Sequence, residues 1–146
     1  MKTDKWSAIV NVFAASKKAG SVWKKAAACL EVAGVSYKAE FTGGKYNATE
    51  LSRRAAAKGY RKFIAVGGDG TIHDVLNGIV EYAVSDPEAK LSDFTLSVIP
   101  VGSGNDWVKS VGACSSLLFP RALLSPQNCQ FFFFLWFSAT LGVPVS

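Results

Sequence analysis

The stretch that decides the fold is Phe63–Ile79, which reads FIAVGGDGTIHDVLNGI. Four apolar residues enter a glycine-rich corner with one acid, Asp69, and one hydroxyl, Thr71, and a helical apolar stripe follows. A strand that ends at a bare backbone turn and restarts as a helix commonly holds phosphate, because its amides point at the anion. This stretch therefore predicts a nucleotide-phosphate site, with Asp69 facing the phosphates through a divalent cation and Thr71 capping the helix. A plain Asp-Gly turn is the structural alternative.

The rest of the first hundred residues alternates between strand and helix patterns. Strands are expected at residues 7–12, 35–41, 63–66 and 95–99. Helices are expected at 22–33 with Ser21 as cap and Gly34 as stop, from an Asn47/Glu50 capping box to about Gly59, and after the corner as far as Ser85-Asp86-Pro87. This order predicts an α/β fold with a mainly parallel sheet and helices on both faces.

A second glycine corner follows the last predicted strand, in Pro100–Trp107, PVGSGNDW. In a parallel sheet both corners open at the carboxyl-end edge, where ligands bind. The segment offers amides, a hydroxyl and polar side chains at Gly102, Ser103, Gly104, Asn105 and Asp106. A helix N-cap at one of the last two is the alternative. Thr42, which follows the second strand, could reach the same edge.

Composition excludes several classes of protein. With 146 residues and 49% hydrophobic residues, the chain is one folded domain rather than a disordered one. Its three cysteines lack metal-site spacing, and His73, the single histidine, is expected to be an exposed helical residue. P-loop, dinucleotide-fold and protein-kinase signatures are missing. Residues 1–70 carry 13 Lys and Arg against 5 Asp and Glu, which suits a polyanionic ligand, an anionic membrane surface or simply solvated helices.

The chain changes character after about Gly112. Between residues 110 and 146 the only charged residue is Arg121, and Phe131–Phe137 is an unbroken apolar block. This block and its neighbours are too short for a membrane span. Residues 113–146 are therefore interpreted as an atypical hydrophobic tail, either a buried strand or the product of truncation or a frame shift. If exposed, the block would favour association.

The two corners together resemble the diacylglycerol kinase catalytic domain family, which includes bacterial lipid kinases and sphingosine kinases. Gly67–Thr71 with its continuation to Ile79 is similar to the family's nucleotide motif, and Pro100–Trp107 to its second motif. Thr42, after the second predicted strand, also matches the family pattern. The resemblance covers roughly residues 6–112. It implies a phosphofructokinase-like nucleotide-binding domain over residues 1–112, and a β-rich second domain that is absent here.

The resemblance also implies ATP and Mg²⁺ as cofactors and a lipid alcohol as the acceptor of the γ-phosphate. Asp69 would be the catalytic acid and would be linked to magnesium through Mg-ATP. No nucleic acid is implied, and the location would be cytoplasmic or peripheral at the inner face of the membrane. The residues that would contact or shape the nucleotide site are Asn11, Thr42, Gly67, Gly68, Asp69, Gly70, Thr71, Ile72, His73, Asp74, Gly102, Ser103, Gly104, Asn105 and Asp106.

The sequence departs from the family pattern in two places besides the missing domain. The family's first loop is usually Asn-Pro-x-Ser-Gly, whereas here Asn11 is followed by VFAAS. His73-Asp74 stands where Asn-Glu is common, which keeps the acid. Two other functions therefore stay open: a catalytically inactive nucleotide-binding remnant, and a NAD kinase, which shares Gly-Gly-Asp-Gly-Thr.

Overall fold

The computed structural model describes residues 2–14 and 19–101, which form a four-stranded parallel sheet with three α-helices. In chain order the elements are β1 (Thr3–Val10), α1 (Ala19–Val32), β2 (Tyr37–Phe41), α2 (Ala48–Ala57), β3 (Tyr60–Gly67), α3 (Asp69–Ser85), a short 3₁₀ turn (Leu91–Asp93) and β4 (Thr95–Pro100). The strand order is β2-β1-β3-β4, and every neighbouring pair is parallel. The predicted fold class is confirmed.

Alternate residues of the central strands enter two separate cores, one on each face of the sheet. On one face Ile9 and Phe63 pack with residues of α2 and α3. On the other face Val10 and Ile64 pack with Trp23 and other residues of α1. Because successive strand side chains point to opposite faces, short apolar runs such as β3 serve both cores at once.

The order of the strands in the sheet explains why α1 lies on one face and α2 and α3 lie on the other. The step from β1 to β2 moves one way along the sheet, and the step from β2 to β3 moves back across β1. If both crossovers have the same hand, their helices must lie on opposite faces. The placement of α1 against α2 and α3 meets this requirement.

The local signals for helix ends at Asn47 and Gly34 are confirmed. The Asn47 side chain accepts a hydrogen bond from the Glu50 amide at 2.8 Å and so caps α2. Gly34 ends α1 with a φ of 70°. The amides of Gly34 and Val35 donate to the carbonyls of Glu31 and Leu30, which is the Schellman pattern.

Several boundaries differ from those that the sequence predicts: β1 ends at Val10 rather than Val12, β3 spans Tyr60–Gly67 rather than residues 63–66, and β4 extends to Pro100. Three further differences have a local cause. β1 begins at Thr3 rather than Ser7 because its polar first half still pairs with β3 through backbone hydrogen bonds. β2 begins at Tyr37 because the Val35 amide belongs to the end of α1. The first helix begins at Ala19, so Ser21 lies inside it and is not its cap.

Within the part of the chain that the structure describes, no helix combines the length and the apolar character needed to cross a bilayer. The hydrophobic tail predicted for residues 113–146 lies outside the described residues.

Candidate functional site

The candidate site lies where β1 and β3 end side by side. These neighbouring strands lead into α1 and α3, which lie on opposite faces of the sheet. Such a divergence opens a crevice at the carboxyl ends of parallel strands, the usual ligand position in α/β sheets. Asn11 follows β1 directly, and Gly68 follows β3. Thr42 follows β2 at the same edge, as the sequence predicts.

Asn11 joins the ends of three strands through its side chain. Its Nδ2 donates to Thr71 Oγ1 at 2.9 Å, and its Oδ1 accepts from Thr42 Oγ1 at 3.2 Å. The same Oδ1 accepts from the backbone amide of Phe13 at 3.1 Å, which fixes the turn after β1. The backbone amide of Asn11 donates to the Val66 carbonyl at 2.9 Å. The asparagine therefore orients the glycine corner and the loop after β2 relative to each other.

The glycines of the corner have different physical roles. A Cβ on Gly67 would lie 2.3 Å from Thr71 Oγ1, so this position must be glycine for Thr71 to pack there. Among the described residues, a Cβ on Gly68 would meet only the Val101 carbonyl oxygen, at 3.9 Å, and one on Gly70 would meet nothing within 4 Å. The open space expected beside the backbone therefore belongs to Gly68 and Gly70, whereas Thr71 fills the space beside Gly67.

The helix α3 begins within the corner, at Asp69, and Gly68 is its N-cap. The expectation that Thr71 caps α3 is wrong, because Thr71 lies inside the first turn and is only 4% exposed. Its hydroxyl is directed to Asn11 instead. Since a glycine cap offers no side-chain acceptor, the first-turn amides can point to an external anion, and the helix dipole favours negative charge there.

The remaining residues of the predicted loop separate into core and surface positions. Ile72 is buried in the core with Val75, so its side chain serves packing. His73 is exposed, as expected, and its Nδ1 lies 3.3 Å from Asn77 Nδ2 one turn later. Asp74 is half-buried and lines the cleft described next. Asp69 is half-buried in the first turn of α3.

A cleft of about 430 Å³ opens beside the asparagine, between the loop after β1 and the loop after β2. Among the described residues, its floor and walls are mostly polar groups and backbone, and the charged ones are Lys45 and Asp74. The Lys45 Nζ lies 5.3 Å from the centre of the Tyr46 ring, and Arg54 lies on the same ring at 4.2 Å. The lining residues are Asn11, Phe13, Thr42, Gly43, Gly44, Lys45, Tyr46, Asn47, Ala48 and Asp74.

Most of the cleft was not predicted from sequence. Phe13 and Lys45 carry no motif of their own, although the VFAAS departure after Asn11 marks the loop to which Phe13 belongs. Asn47 is predicted only as the cap of α2. The second corner, Gly102–Asp106, lies outside the described residues. Its approach is described: the Val101 amide donates to the Gly67 carbonyl at 2.9 Å, so the chain reaches position 101 directly beside the first corner.

The carboxylates near the glycine corner suit a divalent cation that is bound partly by the protein and partly by the phosphates of a ligand. Among residues 2–14 and 19–101 no group of three or more His, Cys, Asp or Glu side chains could hold a metal ion. Mg²⁺ usually keeps several waters and is held by one or two carboxylates plus substrate phosphates. Asp69 beside the open glycines fits that role.

The comparison with known proteins identifies the family. The sequence profile of the diacylglycerol kinase catalytic domain matches residues 5–122, which is most of the chain. The chain belongs to the diacylglycerol kinase catalytic domain family. Within this family of kinases, the diacylglycerol kinase of Bacillus subtilis is 38% identical over 84 residues, or 57% of this chain and 25% of the relative. That of Staphylococcus carnosus is 34% identical over 89 residues, or 61% of this chain and 26% of the relative. The matches thus span about a quarter of these relatives.

Solved structures of family members have the same architecture. A crystal structure of a diacylglycerol kinase from Bacillus anthracis superposes with a TM-score of 0.58 at 28% identity. The match covers 77% of this chain and 37% of that chain. A second structure from the same organism gives a TM-score of 0.60 at 27% identity, covering 77% and 38%. The described α/β unit therefore corresponds to little more than a third of those family members.

Proposed function

We propose that this chain provides the nucleotide-binding part of an ATP-dependent lipid kinase, which transfers the γ-phosphate of ATP to a lipid hydroxyl such as that of diacylglycerol. The observation that carries the proposal is the Asn11 side chain, which links Thr42 and Thr71 beside the open backbone of Gly68. In a chain of this family, that arrangement gives a triphosphate a rigid polar edge and approachable amides.

The triphosphate is proposed to lie against Gly68, Gly70 and the first turn of α3. Side chains that would block a phosphate are missing at both glycines, and the N-terminal end of α3 favours an anion. Asp69 would hold Mg-ATP through the cation. Magnesium supplies charge neutralisation on the β- and γ-phosphates during phosphoryl transfer.

Positioning is the main task of the remaining residues. In the proposed reaction the lipid hydroxyl oxygen forms a bond to the γ-phosphorus and its proton is released to water, while the bond from phosphorus to the β–γ bridging oxygen breaks and ADP leaves. Phosphoryl transfer depends chiefly on orientation and electrostatic stabilisation, which rigid amides provide. Thr42, Asp74 and the second corner at Gly102–Asp106 are proposed to complete the nucleotide contacts.

The lipid alcohol is proposed as the second substrate, presented at a membrane surface by peripheral contact. The Lys and Arg excess of residues 1–70 supports attraction to anionic lipids and to ATP alike. Sphingoid bases and other lipid alcohols share the required hydroxyl chemistry, so the acceptor is proposed only as a class.

The test separates binding from turnover in the full 146-residue chain. ATP binding with Mg²⁺ is measured by calorimetry, and phosphate transfer is measured with labelled ATP and diacylglycerol in mixed micelles. We expect ATP binding that Asp69→Ala abolishes, and transfer of label to the lipid. Binding without transfer would instead support an inactive remnant. Phosphorylation of NAD in the same assay would contradict the lipid assignment.

A further inference from the structure

Phe13 is an exposed aromatic side chain at the edge of the candidate nucleotide cleft. Its side chain is 61% exposed, although the residues just before it in β1 are fully buried. It lines the cleft together with Thr42 and Lys45. A single exposed apolar side chain is ordinary on a protein surface. Phe13 differs from the other exposed apolar residues because it lines the cleft and its ring is held there by contacts.

The ring is held in place by the loop after β2. Gly43 has a φ of 98°, and a Cβ at that position would lie 2.5 Å from Phe13 Cε2 and 3.5 Å from Val12 Cγ2. The missing side chain thus lets the Phe13 ring rest on the Gly43 backbone. Glycine is required there for both its φ and the space it leaves.

The backbone of Phe13 is tied to the same network that orients the phosphate corner. Its amide donates to Asn11 Oδ1 at 3.1 Å, and the other end of that side chain donates to Thr71 at 2.9 Å. Two hydrogen bonds through the Asn11 side chain therefore connect the backbone of Phe13 to the first turn of α3. This connection fixes the position of Phe13 relative to the proposed phosphate site.

We propose that Phe13 is a base-stacking platform for the purine ring of the nucleotide, a positioning residue that this chain has in its altered first loop. The inference rests on the proposed function, since it assigns the base to one end of the same cleft. A purine offers a flat face to the ring, and its polar edge suits the polar groups nearby, among them Thr42 and Asn47.

A lipid chain is a poorer match for this position. Apart from Phe13, Tyr46 and Ala48, the described residues that line the cleft contribute glycine backbone and polar or charged side chains. An acyl chain would have to desolvate these groups without hydrogen-bonding to them, which is unfavourable. Stacking needs only one apolar face and leaves the polar groups free to bond to the base.

The experiment compares a ligand that has a base with one that lacks it. Binding of ATP with Mg²⁺ and of inorganic tripolyphosphate with Mg²⁺ is measured by calorimetry on the full chain and on Phe13→Ala, Phe13→Trp and Val84→Ala. Val84 is 81% exposed near the far end of α3 and serves as the matched control. Circular dichroism verifies that each variant is folded.

We expect Phe13→Ala to weaken ATP binding by roughly 5- to 100-fold, the range found for stacked bases, and to leave tripolyphosphate binding unchanged. Phe13→Trp should retain ATP affinity, and its added fluorescence should change with ATP but not with tripolyphosphate. Val84→Ala should bind both ligands as the parent chain does.

Equal weakening of both ligands, or of neither, would overturn the proposed platform while leaving the kinase proposal intact. A loss confined to the apparent affinity for diacylglycerol micelles would also overturn it, because Phe13 would then contact lipid. A parent chain that binds no ATP at all would instead contradict the proposed function itself.

Discussion

The Asn11 amide nitrogen donates to the Thr71 hydroxyl across 2.9 Å, and this contact joins residues 60 positions apart in the chain. It fixes the end of β1 against the first turn of α3. Thr71 is nearly fully buried, and the partner amide is half-buried. A hydrogen bond in such a place aligns two elements whose strands already lie side by side.

Breaking this contact should destabilise the fold in a coupled manner. Thr71→Val keeps the shape but removes the acceptor, and we expect it to lower the free energy of unfolding by about 1–3 kcal/mol. Asn11→Ala also removes the contacts to Thr42 and Phe13. In a double-mutant cycle by urea denaturation, the two effects should be non-additive by at least about 0.5 kcal/mol. Additive losses would contradict a direct interaction.

The two glycines of the corner should respond differently to the same substitution. Gly67→Ala forces a methyl group into Thr71 and should cost about 1–3 kcal/mol of stability, as overpacking does. Gly68→Ala meets no described atom closer than 3.9 Å and has a φ of −90°, so the methyl group does not clash, and stability should fall by no more than about 1 kcal/mol, the cost of replacing a glycine N-cap by alanine. Thermal and urea unfolding measure both. Equal losses would mean that the two positions are not distinguished by packing.

Close packing of α2 on α3 depends on Gly78. A Cβ there would lie 2.0 Å from Ser52 Oγ and 2.2 Å from the Thr49 carbonyl oxygen. Gly78→Ala should therefore destabilise by about 1–3 kcal/mol even though alanine favours helix. Gly20→Ala in α1 is the matched control, since its Cβ would meet no described atom within 4 Å. We expect it to stabilise by up to about 1 kcal/mol. Stabilisation by both would contradict the packing described.

A hydrogen bond at the end of α3 makes a pH-dependent contribution to the free energy of unfolding. The Tyr82 hydroxyl donates to Asp86, and this bond, followed by one from the Glu88 amide, holds the pKa of Asp86 below its ordinary value. A lowered folded-state pKa stabilises above the unfolded value of about 3.9, and the contribution is lost as pH falls through the folded-state pKa.

Tyr82→Phe should therefore cost stability at pH 7, and the cost should shrink as pH falls below about 4. Urea unfolding across pH 7 to 3 measures it. In an Asp86→Asn background the same substitution should show no such pH dependence. A cost that is constant with pH in the parent chain would contradict the hydrogen bond's role.

Local signals in the sequence predicted much of the fold. The apolar run into Gly67, the Asn47 cap and the Gly34 stop each act within a few residues, so their structural meaning survives without knowledge of the rest of the chain. The shared edge of Thr42 and the corner also followed, because it needs only parallel strands.

Contacts between distant segments could not be predicted in this way. That Thr71 would face Asn11 rather than cap α3 depends on the register of β1 against β3, where Val10 pairs with Val66. The contact of Phe13 with Gly43 likewise depends on two loops that come together only after the sheet forms. The periodicity of apolar residues carries no information on such long-range contacts.

Calorimetric titration of ATP, with Mg²⁺ present, into the full chain and into Gly68→Ala tests most directly whether the phosphates of ATP bind at the glycine corner. We expect one ATP site in the parent chain and at least about tenfold weaker binding in the folded variant, because the methyl group occupies the space proposed for phosphate. Undiminished binding by a folded Gly68→Ala variant, or no binding by the parent chain, would contradict this expectation.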